Sequence, residues 1–288
     1  MDIQLLLVPY DTARRGWRSG AGPEHLLQSG LAAHLKNRGH HVAGIQVIEA
    51  DPDQPPAEIS TAFELMRRLA VAVRAVRAAA QFPVVLSGNC NSAVGTLSGL
   101  TPAPRAIFWF DAHGDCSTPD TTSTGFLDGT GLVTAMGLCW HQLTSTVPGY
   151  RPVQPDATFL LGARDLDPPE TALLAGSAIT WVPTDQIPGR LPEILARPSL
   201  EDAPGYLHLD LDVLDPAGVG QANSLPVPGG LSVEQLTAAI AAIRARVPLG
   251  AAALASYAPE YDSQQGVCRA AFAALDAILA DGTAGSTL

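Results

Sequence analysis

At 288 residues, 47% of them hydrophobic, the chain is long enough for a substantial core in one large α/β domain or two small ones. Its formal net charge of −11 argues against a nucleic-acid surface, and no apolar run approaches the roughly 20 residues that a membrane span needs. The four cysteines (Cys90, Cys116, Cys139, Cys268) show no C-x-x-C pairing, so neither a zinc ribbon nor a disulfide framework is indicated and a cytoplasmic setting is expected.

In chain order, the opening MDIQLLLVPYD carries an acid at position 2 and reads as a strand over 3–8 rather than a signal peptide. A polar loop over 11–22 follows, and Pro23 opens a helix expected to run to about Lys36, with Gly39 ending it. The next elements are a strand over 41–48, a DPDQPP loop, a long amphipathic helix over 57–80 and a buried strand over 83–86. After Ser87-Gly88-Asn89-Cys90-Asn91-Ser92 comes a small-residue helix to Gly99, then a strand over 106–110 and a helix over about 129–140.

The second half continues the alternation, with strands over 157–161, 178–182, 205–209 and 249–257. Helices are expected from 167–170, over 192–196, from Ser232 to Arg246 behind a Ser-x-x-Gln capping box, and over 264–280. Strands alternating with helices and near-continuous in apolar residues indicate a mostly parallel sheet covered on both faces. No internal repeat or linker divides the chain, so one domain over 1–288 is expected, with a frayed tail over 281–288.

Two strand ends carry chemistry. The apolar run Ala106-Ile107-Phe108-Trp109-Phe110 delivers Asp111, His113 and Asp115, and Tyr206-Leu207-His208-Leu209 delivers Asp210 and Asp212. Side chains at i, i+2 and i+4 of an extended segment share a face, so each strand end aims its acids at one point. In a parallel α/β sheet such ends converge outside the carboxyl edge, where two acid sets suit a pair of divalent cations.

These motifs, DAHGD at 111–115, STPDTTSTG at 117–125 and DLDVLDP at 210–216, resemble those of the ureohydrolase (arginase/agmatinase) family. The likeness extends from PYD…RRG…GPEHLL over 9–27 to APEYD at 258–262. It implies a three-layer α/β/α arginase-like fold with a mostly parallel sheet of about eight strands, and hydrolysis of a small guanidino compound at a binuclear Mn²⁺ site. By the same resemblance Asp111 and Asp210 bridge both ions, His113 and Asp212 complete one site, and Asp115 serves the other and is placed to take the nucleophile's proton. Glu260 pairs with the guanidinium. Ser117, Thr122 and Thr124 lie where arginases hold the amino-acid carboxylate, and Asp165, Asp167 and Glu170 match the segment that contacts the α-amino group. Homo-oligomers are common in that family.

The sequence departs from the family at two places. Gly88-Asn89-Cys90-Asn91-Ser92 stands where the family carries Gly-Gly-Asp-His-Ser, so a ligand histidine is replaced by Asn91, or by Cys90 swinging in, and one ion is expected to be weakly held. Where many relatives place a further histidine, this chain has 124–129, TGFLDG, leaving that role to Asp128 or to no residue. The altered loop favours Nω-hydroxy-L-arginine, as in the hydroxyarginine hydrolases of D-cycloserine biosynthesis. The alternatives are an arginase, agmatinase or formimidoylglutamase, or a non-catalytic relative kept for binding or assembly. His208 shares a face with Asp210 but reads as a core histidine, and Arg164 reads equally as an ion-pair partner of Asp165.

Overall fold

In the computed structural model, residues 1–200 and 204–280 are described; the expected frayed tail over 281–288 lies outside them. Eight parallel strands form the sheet: β1 (Asp2–Val8), β2 (His41–Val47), β3 (Phe82–Ser87), β4 (Ala106–Phe110), β5 (Thr158–Leu161), β6 (Thr180–Val182), β7 (Gly205–Asp210) and β8 (Leu249–Ala255). Their order is β2-β1-β3-β8-β7-β4-β5-β6. Every pairing in this sheet is parallel, which requires a crossover connection rather than a hairpin between neighbouring strands.

The alternation of the strands splits the core into two layers. Ile3, Leu5 and Leu7 pack with Phe108, Phe110, Leu207 and Leu209 on one face. Leu6, Val8, Val85, Trp109 and Tyr206 pack on the other. The first layer is covered by α1 (Gly22–Gln28), α2 (Leu31–Asn37), α8 (Ile187–Leu195), α9 (Val233–Arg246) and α10 (Gly266–Leu279). The second is covered chiefly by α3 (Glu58–Ala78), α4 (Ser92–Gly99), α5 (Gly131–Ala135) and α7 (Pro168–Gly176). This is the three-layer α/β/α arrangement.

Local departures have local causes. The expected helix over 23–36 is two helices, because Gly30 has φ +96° and redirects the chain. The expected helix over 129–140 stops at Ala135: Gly137, at φ +72°, lets its N–H reach Thr134 O and the next N–H reach Val133 O. A separate turn, α6 (His141–Thr144), follows. Helix α8 starts five residues before Pro192 rather than at it, and contains that proline. The capping box at Ser232 is present, with Gln235 N–H on Ser232 Oγ at 3.2 Å and Ser232 N–H on Gln235 Oε1 at 2.9 Å.

Candidate metal centre and substrate cleft

The four middle strands, β3, β8, β7 and β4, end side by side, and the residues beyond them form the floor of a cleft of about 220 Å³. Phe110 of β4 pairs with Leu209 of β7, so Asp111 and Asp210 leave the sheet as lateral neighbours. Around them two groups of side chains have potential ligand atoms within 4.8 Å of one another: Cys90, Asp111 and Asp210, and Asp111, His113 and Asp212. Asp111 belongs to both groups. Asp210 belongs to the first.

Each carboxylate is fixed from behind. Trp109 Nε1 donates to Asp111 Oδ2 at 3.0 Å, and the His113 amide donates to Asp111 Oδ1 at 2.8 Å. The Asp212 amide donates to Asp210 Oδ1 at 2.9 Å. Asn223 Nδ2 donates to Asp212 Oδ2 at 3.0 Å and to Ser256 O at 3.2 Å, tying the loop after β7 to the end of β8. These bonds leave acids crowded in a low-dielectric floor. Burial, reinforced by the charges of its acidic neighbours, pushes Asp210 and Asp115 well above the ordinary carboxylate value, and Asp111 is also raised, chiefly by burial.

Asp115 adopts φ +49°, a left-handed conformation costly for a residue with a Cβ, and its Oδ2 is buried without a hydrogen-bond partner. His113 Nδ1 lies 3.2 Å from Asp212 Oδ2 and 3.5 Å from Asp111 Oδ1. Burial opposes protonation of that ring, but the Asp212 charge and the bonds to both acids push it up to about 12. An orphaned carboxylate oxygen, mutually repelling acids and an imidazole nitrogen aimed between two of them all fit divalent cations in the floor.

Of the two replacements expected in the 88–92 loop, the structure turns Cys90 to the site. Its thiol donates to Asp210 Oδ2 at 2.8 Å, and burial followed by the Asp210 charge raises its pKa well above the ordinary value. Asn91 instead lines a separate small cavity beside Val8, Tyr10 and Leu65, while its amide donates to Asp128 Oδ1 at 2.8 Å. Asp128 lines the cleft, but both its oxygens are engaged by this loop, Oδ2 accepting Asn89 Nδ2 at 2.9 Å. Burial pushes Asp128 up to about 7.

Ser117, Thr122, Thr124, Asp165, Asp167 and Glu170 all line the cleft, with the Ser117 side chain hydrogen-bonded to Glu170. Asp167 and Glu170 also build a capping box for α7, with Glu170 N–H on Asp167 Oδ1 at 2.9 Å and Asp167 N–H on Glu170 Oε2 at 3.2 Å. Glu170 Oε1 accepts the Cys116 amide at 3.2 Å, so this carboxylate braces the loop after β4 against α7. Glu170→Ala is therefore expected to lower stability by about 1–2 kcal/mol, read as a shift in the urea midpoint, with Glu170→Gln losing less. An unshifted midpoint in the alanine variant would remove the brace.

One expected site residue is corrected. Glu260 is exposed in a 3₁₀ turn, Pro259–Tyr261, and does not line the cleft. Strand β8 ends at Ala255, and Ser256, at φ +62°, turns into the site; the chain then leaves, with Tyr257 buried and Asp262 accepting the Gly266 and Cys268 amides that open α10. Arg164 is not an ion-pair partner of Asp165. Its guanidinium donates to the carbonyls of Gly162, Asp212, Val213, Val227 and Pro228, clamping three loops. His208 is fully buried, stacked on Trp109 at 3.9 Å between ring centroids, and burial lowers its pKa to about 3, so it is a neutral core group. Asp11, Arg18, Asn223, Ser224 and Ser256 line the cleft without having been singled out in the sequence. Asp11 sits in a short two-stranded hairpin and Ser256 directly after β8, and none of the five belongs to the strand-end acid pairs that mark β4 and β7.

The Arginase family model matches residues 1–280. The Nω-hydroxy-L-arginine amidinohydrolase of Streptomyces lavendulae is 32% identical over 219 residues, covering 74% of each chain. The arginase of Bacillus subtilis (strain 168) is 30% identical over 251 residues, covering 81% of this chain and 82% of that one. The crystal structure of arginase from Bacillus cereus shares the fold, with a TM-score of 0.87 at 24% identity over 98% of this chain and 99% of that one. The chain belongs to the arginase family and is a hydrolase acting on C–N bonds of linear amidines.

Proposed function

We propose that this arginase-family chain is a manganese-dependent amidinohydrolase that converts Nω-hydroxy-L-arginine to hydroxyurea and L-ornithine. The observation that carries the reading is the Cys90 thiol, rather than an imidazole, facing Asp111 and Asp210. A neutral thiol is a poor partner for Mn²⁺, so one ion is weakly held. The hydroxyl of a hydroxyguanidine withdraws electrons, and its carbon is more readily attacked than that of a resonance-stabilised guanidinium. A weakened pair is thus matched to the easier substrate. The resemblance to a hydroxyarginine amidinohydrolase supports the same choice.

Asp111, His113 and Asp212 would hold one ion, and Asp111, Asp210 and Cys90 the other, with Asp115 beside them. When bound, the ions supply a water of lowered pKa and positive charge opposite the developing tetrahedral centre. Asp115, with one unpartnered oxygen, takes the proton released at attack and passes it to the departing side-chain nitrogen of ornithine. The wall of Asp165, Asp167 and Glu170 receives the α-amino group, and Ser117, Thr122 and Thr124 receive the α-carboxylate.

Mn²⁺-loaded protein incubated with hydroxyarginine, arginine, agmatine and formiminoglutamate, and assayed for hydroxyurea, urea and formamide, tests the assignment. Hydroxyurea should be the main product at equal substrate concentrations. Urea from arginine at the higher kcat/KM would instead make this an arginase. Cys90→Ser tests the thiol directly. Zn²⁺ affinity at one of the two sites should fall at least about tenfold, while Mn²⁺ affinity changes little, because only the softer ion gains from sulfur. Equal Zn²⁺ affinity in both proteins would show that Cys90 does not contact an ion.

A further inference from the structure

The segment between β1 and α1 carries several left-handed residues and sends Asp11, Arg18 and Ser19 into the lining of the cleft. Thr12, Ala13, Gly16 and Arg18 have φ of 45°, 67°, 67° and 48°, and only one of these residues is glycine. Non-glycine residues pay for such conformations unless surrounding contacts impose them. Thr12 and Ala13 are the turn of a short hairpin in which Tyr10–Asp11 pairs antiparallel with Arg14–Arg15, whereas Arg18 opens a 3₁₀ turn over Arg18–Ala21 and its side chain is held by contacts of its own.

Its Nη2 donates to Ser224 Oγ at 2.8 Å, and its Nε lies 3.6 Å from Asp11 Oδ2. The Trp17 ring flanks it, with Cζ 5.0 Å from the ring centroid. Asp11 is only 1% exposed, and burial raises its pKa while the Arg18 charge lowers it. The other oxygen of Asp11 accepts Asn89 Nδ2 at 3.4 Å, and the same amide bonds Asp128. On the opposite side Ser224 follows Asn223, which bonds Asp212. The guanidinium is therefore linked, through two residues on each flank, to Asp128 and Asp212.

A guanidinium carries five donors, and Ser224 takes one while Asp11 faces another. The side chain remains 30% exposed and lines the cleft. Among the described residues lining the cleft the basic ones are Arg18 and His113, and the His113 Nδ1 is committed to Asp111 and Asp212. The same wall presents Ser256, Ser224 and Asn223. Asp11, the carboxylate beside Arg18, is already paired with it, while Asp212 and Asp210, which bond Asn223 and Ser256, belong to the acids of the floor that the ions would neutralise. A cationic guanidinium brought to this wall meets a like charge and uncharged groups. A hydroxyguanidine, made less basic by its hydroxyl, brings an oxygen that accepts hydrogen bonds.

We propose that Arg18 is a specificity-determining residue that donates to an oxygen substituent on the reacting end of the substrate, the N-hydroxyl of a hydroxyguanidine, and disfavours an unsubstituted guanidinium. This rests on the reading of the cleft as an amidinohydrolase site. The test compares wild type with Arg18→Met, and with Asp11→Asn/Arg18→Met, which avoids stranding the buried carboxylate. Two readouts are taken: kcat/KM for hydroxyarginine, arginine and agmatine, and equilibrium binding of N-hydroxyguanidine and of guanidinium to the Mn²⁺-loaded protein.

The hydroxyarginine-to-arginine ratio of kcat/KM should fall by about tenfold to a hundredfold, the scale of a lost charge-assisted hydrogen bond. N-hydroxyguanidine should bind more weakly while guanidinium binds as well or better. An unchanged ratio overturns the proposal. So does an equal loss for both amino acids with agmatine spared, which would place the α-carboxylate on Arg18. A parallel loss for all three substrates, with both small ligands binding as in wild type, would mark Arg18 as only a loop anchor. If wild type hydrolyses none of the amidines, the amidinohydrolase reading fails, and the binding comparison still decides the role of Arg18.

Discussion

Asp111→Ala is expected to abolish Mn²⁺ binding at both ion positions and to lower kcat/KM by about a thousandfold or more, the scale of losing metal-based charge stabilisation. The reason is geometric: Asp111 belongs to both candidate ligand groups, whereas Asp210 and Cys90 complete one and His113 and Asp212 the other. Asp210→Ala should therefore remove one ion and leave the second titratable, and Asp212→Ala should do the converse. Glu260→Ala is the control that separates the observed site from the one expected in the sequence. That side chain is exposed outside the cleft, so its loss should change kcat/KM less than about twofold. Mn²⁺ titrations by calorimetry, run beside the assay, give the stoichiometry directly. Two ions retained by Asp111→Ala would refute the shared-ligand assignment, and a large loss in Glu260→Ala would refute the placement of the cleft.

What the sequence reveals follows physical lines. The strands are legible because runs such as Leu5-Leu6-Leu7 and Ala106–Phe110 are apolar on both faces, as a sheet covered on both sides demands. Asp111 and Asp210 are legible for the same reason, standing at the ends of strands whose direction is already set, whereas Asp212 reaches the site from a 3₁₀ turn, Leu211–Val213, capped by Asp210, and not by extended alternation. Helix interruptions at Gly30 and Gly137 depend on a left-handed backbone that glycine permits without requiring, so they are not fixed by composition. Glu260 misleads because it follows a strand within a few residues, yet the chain has already turned at Ser256 and left the cleft. Asp167 and Glu170 read as substrate ligands although their spacing is also that of a capping box, and the structure uses it as one while keeping both on the cleft wall. Arg18, Asn223 and Ser256 meet only because three loops distant in sequence end on one edge of the sheet. No local pattern announces such a meeting.

Removal of divalent ions should make the protein less stable as pH rises, and Mn²⁺ should restore more stability the higher the pH. In the ion-free floor, burial and neighbouring charges raise Asp115 and Asp210 well above the ordinary carboxylate value of 3.8, and burial raises Asp111. An acid raised on folding contributes stability that is fully present below its unfolded value and lost as pH climbs through its folded value. His113, opposed by burial but pushed up to about 12 by Asp212 and Asp111, contributes below its ordinary 6.5 and likewise loses that contribution as pH rises. Asp212 runs the other way: burial works against its charge, but His113 and its hydrogen bonds hold it below 3.8, so its contribution is lost only in acid. Between about pH 5 and 8 the raised groups govern, and Tm in chelator should decline. Mn²⁺ binds the deprotonated carboxylates, so it competes with fewer protons at higher pH; at a hundred times Kd it adds about 2.7 kcal/mol, worth roughly 5 °C or more in a chain of this size. Calorimetric scans with chelator and with Mn²⁺ at pH 5, 6, 7 and 8 should show a gap that widens with pH. In Asp210→Ala, which relieves part of the repulsion, the chelator curve should flatten and the gap shrink. A gap that is constant, or that narrows as pH rises, would mean the acids of the floor are not what the ions neutralise.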